Sequence, residues 1–220
     1  LSAVEVVANN RSRFLSDFAD YRASAIAEGQ REPVKAYVIP EAPDADMAAR
    51  LAVTLARNGI EVRRSDAAFA ACGRRFDAGS YVVSAAQPTK RLIRTLLDEK
   101  TVMKAEFVKR QEDRVSKGLP DEIYDVTAWS LPLMFNVPIV SCSNDPVVKG
   151  ELVASDWQPS GRVIGDSSSV GYVVPWSSTA SARFLTAALR AGLPVKSSNK
   201  EFTLGSVKYP AGSLFVDGAM

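Results

Sequence analysis

The chain has 220 residues, 46% apolar and 24% charged, the composition of a globular protein that can bury a sizeable core as one large domain or two small ones. Its 27 Lys and Arg against 25 Asp and Glu leave a net charge of +2 with the basic residues scattered, so nothing electrostatic selects nucleic acid or an anionic membrane as partner. Histidine is absent, which removes the commonest general base, the Ser-His and Cys-His nucleophile pairs and every zinc site built on imidazole.

Residues 3–28 carry Val4, Val7, Phe14, Leu15, Phe18, Tyr21, Ala25 and Ile26 at a spacing that predicts one or two helices with a single apolar stripe, stopped at Gly29. Residues 1–30 are therefore a helical segment or linker, and 31–220 an α/β domain. Val34 to Ile39 is a short strand closed by Pro40. Asp44 or Asp46 caps the next helix, whose Met47, Ala48, Leu51, Ala52 and Leu55 recur every three to four residues until Asn58-Gly59. Ile60-Glu61-Val62 restarts a strand, giving a right-handed βαβ unit with parallel strands. Phe76, Ala78, Gly79 and Ser80 then lead through a hairpin or bend into the strand Tyr81–Val83, and a helix begins near Pro88 with Leu92, Ile93, Leu96 and Leu97 on its buried side. Lys100–Leu119 is a solvated helix or surface excursion, and Ile123–Val137 a buried, bent helix leading to the strand Pro138–Ser141. Glu151–Asp166 is irregular, with Gly165 to Ser169 forming a turn that enters the last part of the chain.

That last part repeats the stretch 37–83 over 172–216. Tyr37-Val-Ile-Pro answers Tyr172-Val-Val-Pro, Arg57-Asn-Gly59 answers Arg190-Ala-Gly192, Phe69 answers Phe202, and Gly79-Ser80 answers Gly212-Ser213, at a constant offset from Arg50 onward. The second copy predicts a strand at Gly171–Val174, a helix at Ser181–Ala191 and a strand at Leu193–Lys196. Two copies so far apart do not make a solenoid. They imply a three-layer α/β fold, a mainly parallel sheet with helices on both faces, containing two related βαβ units.

No catalytic, cofactor or metal residue is assigned. Cys142 follows a strand where a nucleophile would sit, but its neighbours are Ser141 and Ser143 and no histidine can activate it, so a thiol hydrolase is the least favoured function and Cys142, like Cys72, is read as a small hydrophobe. Two cysteines make no disulfide framework. Ser177, Ser178, Thr179 and Ser181 crowd a helix start, where backbone N–H groups could hold a phosphate or carboxylate, although one of the four serving as the N-cap is the simpler reading. Asp121, Glu122 and Asp125 could bind a hard cation and are more simply first-turn carboxylates, and Trp129, Trp157 and Trp176 are core or interface aromatics.

The string Tyr124-Asp-Val-Thr-Ala-Trp-Ser-Leu-Pro-Leu133 resembles one in large bacterial zinc carboxypeptidases, in which the metallopeptidase domain is followed by an α/β region similar to class I glutamine amidotransferases. Phe14–Gln30, the Tyr37 entry and Phe76–Pro88 are similar to the same region. The resemblance implies a non-catalytic accessory portion of a periplasmic or extracellular parent, with zinc in a peptidase domain upstream of Leu1. It implies that peptidase domain and the parent's peptide substrate as partners, and no cofactor in this stretch. The family's His-x-x-Glu zinc pair and later histidine have no match here, nor has the amidotransferase Cys-His pair. The rival expectation is a ligand-binding α/β domain using the crevice near Pro40 and Pro175.

Overall fold

The computed structural model describes residues 2–41, 43–99, 103–120, 122, 130–161, 163–165 and 170–218. Two helices open the chain, α1 (Ser2–Asn9) and α2 (Arg11–Arg31). The first unit is β1 (Ala36–Ile39), α3 (Ala45–Arg57), β2 (Arg63–Arg64), the hairpin β3 (Phe69–Ala71) and β4 (Arg74–Phe76), and β5 (Tyr81–Ser84). After it come α4 (Lys90–Leu97), α5 (Ala105–Ser116), the single turn α6 (Leu131–Phe135) and β6 (Val140–Cys142). The second unit is β7 (Gly171–Val174), α7 (Thr179–Arg190), β8 (Val195–Ser197), the hairpin β9 (Phe202–Leu204) and β10 (Val207–Tyr209), and β11 (Leu214–Asp217).

The expected mainly parallel, three-layer sheet is not what forms. The first sheet has the order β2-β5-β1-β6 and the second β7-β11-β8, and every strand pairing among the described residues is antiparallel. The strand-helix-strand pattern does give the right direction, since β1 and β2 both run opposite to β5 and so point the same way. They are not neighbours, however. The hairpin β3–β4 turns the chain and delivers β5 into the gap between them, with Val38 and Arg63 both facing Val82. Helices also cover one face of the first sheet rather than two. Tyr37, Ile39, Tyr81 and Val83 pack with Leu51, Leu55, Ile93 and Leu97 of α3 and α4, while Ala36, Val38 and Val82 on the reverse face pack under Ala71 and Phe76 of the hairpin.

The duplication persists down to single hydrogen bonds. Gly59 and Gly192 close α3 and α7 at φ 73° and 74°, with the next residue donating back to Leu55 or Ala188, a helix ending for which glycine is suited. Ser80 and Ser213 each accept from the backbone N–H just past the first strand, that of Glu41 at 3.2 Å and that of Trp176 at 3.3 Å. Phe69 stacks on Phe76 at 5.2 Å between ring centres, and Phe202 on Tyr209 at 5.1 Å. Coverage differs between the copies. The first sheet has β6 along β1 and residues 149–153 along β2, as in Arg64 N–H to the Glu151 carbonyl at 2.9 Å; in the second, α7 buries only Ser181 and Ala188.

Cys72 and Cys142, expected as packing thiols, form a disulfide with Cα atoms 5.2 Å apart. Cys72 and Gly73 make the two-residue β3–β4 turn, both at positive φ (56° and 70°), as a tight hairpin requires. The bond fastens that turn to β6 and removes the nucleophile of the thiol-hydrolase reading.

The amino-terminal stripe is helical as expected but not buried. Val4, Leu15 and Phe18 are 73%, 69% and 59% exposed, and Ala25 and Gly29 are the buried residues of α2. Gly29 does not stop α2, which continues to Arg31. A Cβ there would lie 2.2 Å from the Ala85 carbonyl oxygen, so glycine lets the helix approach the loop after β5. Around this contact Lys90, 7% exposed in its side chain, sits between Glu28 at 3.2 Å and Glu32. Arg91 reaches Glu28 at 2.5 Å, and Arg94 reaches Glu32 at 3.0 Å and Asp98 at 2.7 Å. Tyr37 donates its hydroxyl to Asp98, and burial foremost, then that carboxylate, pushes its ionisation upward. Of the expected buried, bent helix Ile123–Val137, residues 123–129 lie outside the described residues; the rest is the single turn α6, with Pro132 in its first turn rather than at a bend and with Leu133 and Met134 exposed, as is Leu92 of α4.

Two outcomes are expected. Reduction, or paired Cys72→Ala and Cys142→Ala substitution, removes the closure of a 70-residue loop and lowers stability by about 2–4 kcal/mol, read as a lower urea midpoint; an unchanged midpoint would refute the cross-link. The second concerns Glu28, whose carboxyl is held below its ordinary 4.5 by hydrogen bonds from Arg91 and then Lys90. Its contribution is complete above that value and drains away as pH falls through the lowered one. Amide protection factors in the last two turns of α2, taken relative to the intrinsic exchange rate at each pH, should therefore fall on acidification below 4.5, and Glu28→Gln should remove that acid dependence.

Candidate functional site

The two units meet where α3 and α7 begin. Asp44 is the N-cap of α3, its Oδ1 accepting from the N–H groups of Asp46 and Met47, both at 3.1 Å. Its Oδ2 accepts from the N–H of Thr179 at 3.0 Å and from the Thr179 hydroxyl at 3.1 Å. One carboxylate thus meets the partial positive charge at two helix amino ends. The expectation that a residue of the 177–181 cluster is the N-cap of α7 holds for position but not for the capping bond. Ser178 holds the N-cap position without a side-chain capping bond, and Ser181 donates its hydroxyl to the Pro175 carbonyl at 2.6 Å. An anion does sit at this helix start, and it is supplied by the other unit.

Asp46, the alternative cap, lies two residues further in, within the first turn of α3. Its Oδ1 accepts from Arg183 Nη2 of α7 at 2.5 Å, and with 5% of its side chain exposed, its Oδ2 has no hydrogen-bond partner among the described residues. From Asp46 a cleft of about 500 Å³ runs along α3, floored by Asp46, Ala49, Arg50, Val53, Thr54 and Arg57. These fall at i, i+3, i+4, i+7, i+8 and i+11, one face of the helix. Phe135, Trp157, Gln158 and Pro159 wall the cleft, and Arg183 closes the end toward α7. Trp157 is held edge-on against Tyr81 at 6.4 Å, with the Arg64 guanidinium 5.8 Å from its ring centre. Arg57 donates from Nε to the Ser155 carbonyl at 2.8 Å.

The cleft is not the crevice expected at Pro40 and Pro175, neither of which lines it. Glu122 is engaged by Arg110 at 2.8 Å, Gln111 at 2.9 Å and Arg114 at 3.5 Å, and Arg110 foremost lowers its ionisation. Asp121, Asp125, Trp129 and the segment 166–169 lie outside the described residues. Among those described, no group of three or more His, Cys, Asp or Glu is placed to hold a metal, and no helix is long and apolar enough to cross a membrane. Trp157, expected as a core or interface aromatic, packs on the edge of the core and also lines the cleft, and Trp176 is 42% exposed beside Gly212. Sequence reasoning does not single out the arginines of the cleft, though the duplication carries the signal: Arg50 and Arg57 answer Arg183 and Arg190 at the same offset as the glycines.

No protein-family model matches this chain, and neither a curated protein nor a solved structure does.

Asp44→Ala is expected to cost about 2–3 kcal/mol, twice a single cap, because both helices lose their acceptor. Asp44→Asn, which keeps one oxygen, should cost about half that. Urea midpoints measure both, and a loss under about 0.5 kcal/mol for Asp44→Ala would show that water replaces the carboxylate at no expense.

Proposed function

We propose that this chain is a non-catalytic accessory module that packs on, or presents peptide substrate to, a zinc carboxypeptidase domain borne by the same polypeptide in the periplasm or outside the cell. The observation that carries this reading is the helical arm α1–α2. It docks through its carboxyl-terminal end on α4 and leaves Val4, Val7, Phe14, Leu15, Phe18 and Tyr21 exposed. Helices with this much large apolar surface characteristically cover another surface. The disulfide supports export, since such bonds persist mainly in oxidising compartments. The resemblance around Tyr124–Leu133 supplies the peptidase class.

The chain alone is expected to bind no stoichiometric zinc and to release no residue from peptide carboxyl ends. One tightly held zinc per chain by metal analysis would overturn the non-catalytic part. The arm should bind an apolar fluorescent dye and drive reversible self-association in sedimentation, and Phe14→Ser with Leu15→Ser and Phe18→Ser should abolish both. Identical behaviour of this variant and the parent chain would overturn the packing role.

A further inference from the structure

We propose that the cleft along α3 is a binding site for a small organic oxyanion, a carboxylate or phosphate carried on a flat apolar body, gripped by Arg50, Arg57 and Arg183 and resting on Trp157. This goes beyond the accessory role and stands or falls separately from it.

The charge balance points to an anion. Among the described residues three guanidinium groups line the cleft against one carboxylate, Asp46, leaving a surplus of two positive charges. The three are engaged to different degrees. Arg183 is held by Asp46 at 2.5 Å, Arg57 spends one donor on the Ser155 carbonyl at 2.8 Å, and Arg50 makes no ion pair among the described residues. A guanidinium has five donors in a planar fork suited to two oxygens at once, so Arg57 and Arg50 keep most of their capacity for an incoming oxyanion. Arg50 and Arg57 are seven residues apart on a helix, hence on the same face and about 10 Å apart along its axis. That spacing separates an end near Arg183 from an end near Ser155.

The walls select the rest of the ligand. Phe135 and Trp157 give the cleft aromatic surface, and its volume of about 500 Å³ is in the range of small-molecule pockets. Trp157 is fixed from behind by Tyr81, so its orientation does not have to be ordered on binding. The second unit supplies an internal comparison. Thr179, Ala182, Arg183, Thr186, Ala187 and Arg190 form the same face of α7, and that face is an open groove with no aromatic wall among the described residues. Both copies keep the arginine pair, whereas only the α3 face has Phe135 and Trp157 over it, which makes the α3 face the site.

The test is a titration of the full chain followed by tryptophan and arginine side-chain NMR signals, the Trp157 indole being identified with Trp157→Phe. The probes are phenylacetate, phenyl phosphate and the uncharged phenylacetamide. The anions are expected to shift the Trp157 indole with dissociation constants of about 1 mM and the amide to bind at least about tenfold more weakly. Whichever anion binds tighter identifies the head group as carboxylate or phosphate. Raising the salt should weaken both anions, because the arginines are solvent-facing. Arg50→Ala with Arg57→Ala, both exposed and away from the core, should keep the fold by circular dichroism and lose about tenfold or more in anion affinity. Equal binding of the amide and the anions, no movement of the Trp157 indole, or unchanged anion affinity in the double variant would each overturn the proposal.

Discussion

Asp44 sets the relation between the two halves of this molecule. A helix start leaves four N–H groups without partners, and two such starts facing each other would repel and remain unsatisfied. Placing one carboxylate between them gives each start an acceptor and neutralises part of both dipoles, through Asp46 and Met47 on one side and Thr179 on the other. The Asp46 to Arg183 pair, two residues past Asp44 on α3 and one turn past Thr179 on α7, adds a second link between the helices. The α3 cleft opens beside this junction, with Arg183 of α7 at its near end and Phe135 and Trp157 in its walls.

The duplicated unit shows how much of a fold local chemistry can specify. A glycine at positive φ ends each helix, a serine hydroxyl receives the backbone after each first strand, and an aromatic pair stacks across each hairpin. The copies diverge only where other parts of the chain reach them. Around the first, α4, α6, β6 and residues 149–153 complete a core in which Tyr37, Leu51 and Val83 are almost inaccessible. Around the second, β7 and α7 remain partly open.

The elements with a strong local signal are legible in the sequence: α3 from its period and caps, β1 from Pro40, and the bends that lead into β5 and β11 from Gly79 and Gly212. The hairpins β3–β4 and β9–β10 are not, since their strands are only three residues long and carry no clear alternation. The sheet is not, because a strand-helix-strand run fixes strand direction but says nothing about a later strand inserting between the two. The fate of the amino-terminal stripe is hidden for a related reason: periodicity shows that an apolar face exists and cannot show what covers it. The disulfide is illegible because Cys72 and Cys142 lie 70 residues apart and only the hairpin turn brings them together. At the cleft, arginines look like an ordinary solvated face, and their repetition at Arg183 and Arg190 acquires meaning only once the two helices are seen side by side.

The position of β1 has a bearing on how the chain is made. As a central strand it needs β5 on one edge and β6 on the other, with Ala36 opposite both Ser84 and Cys142. During synthesis the first pairing can form early, while the far edge waits for a much later stretch to leave the ribosome. Until then Ala36 to Val38 presents a bare, strongly apolar border of the kind that recruits stray strands. Oxidation of Cys72 to Cys142 must await the same later stretch, because its partner lies on β6. The second unit, completed within a short continuous stretch, carries no comparable interval of vulnerability.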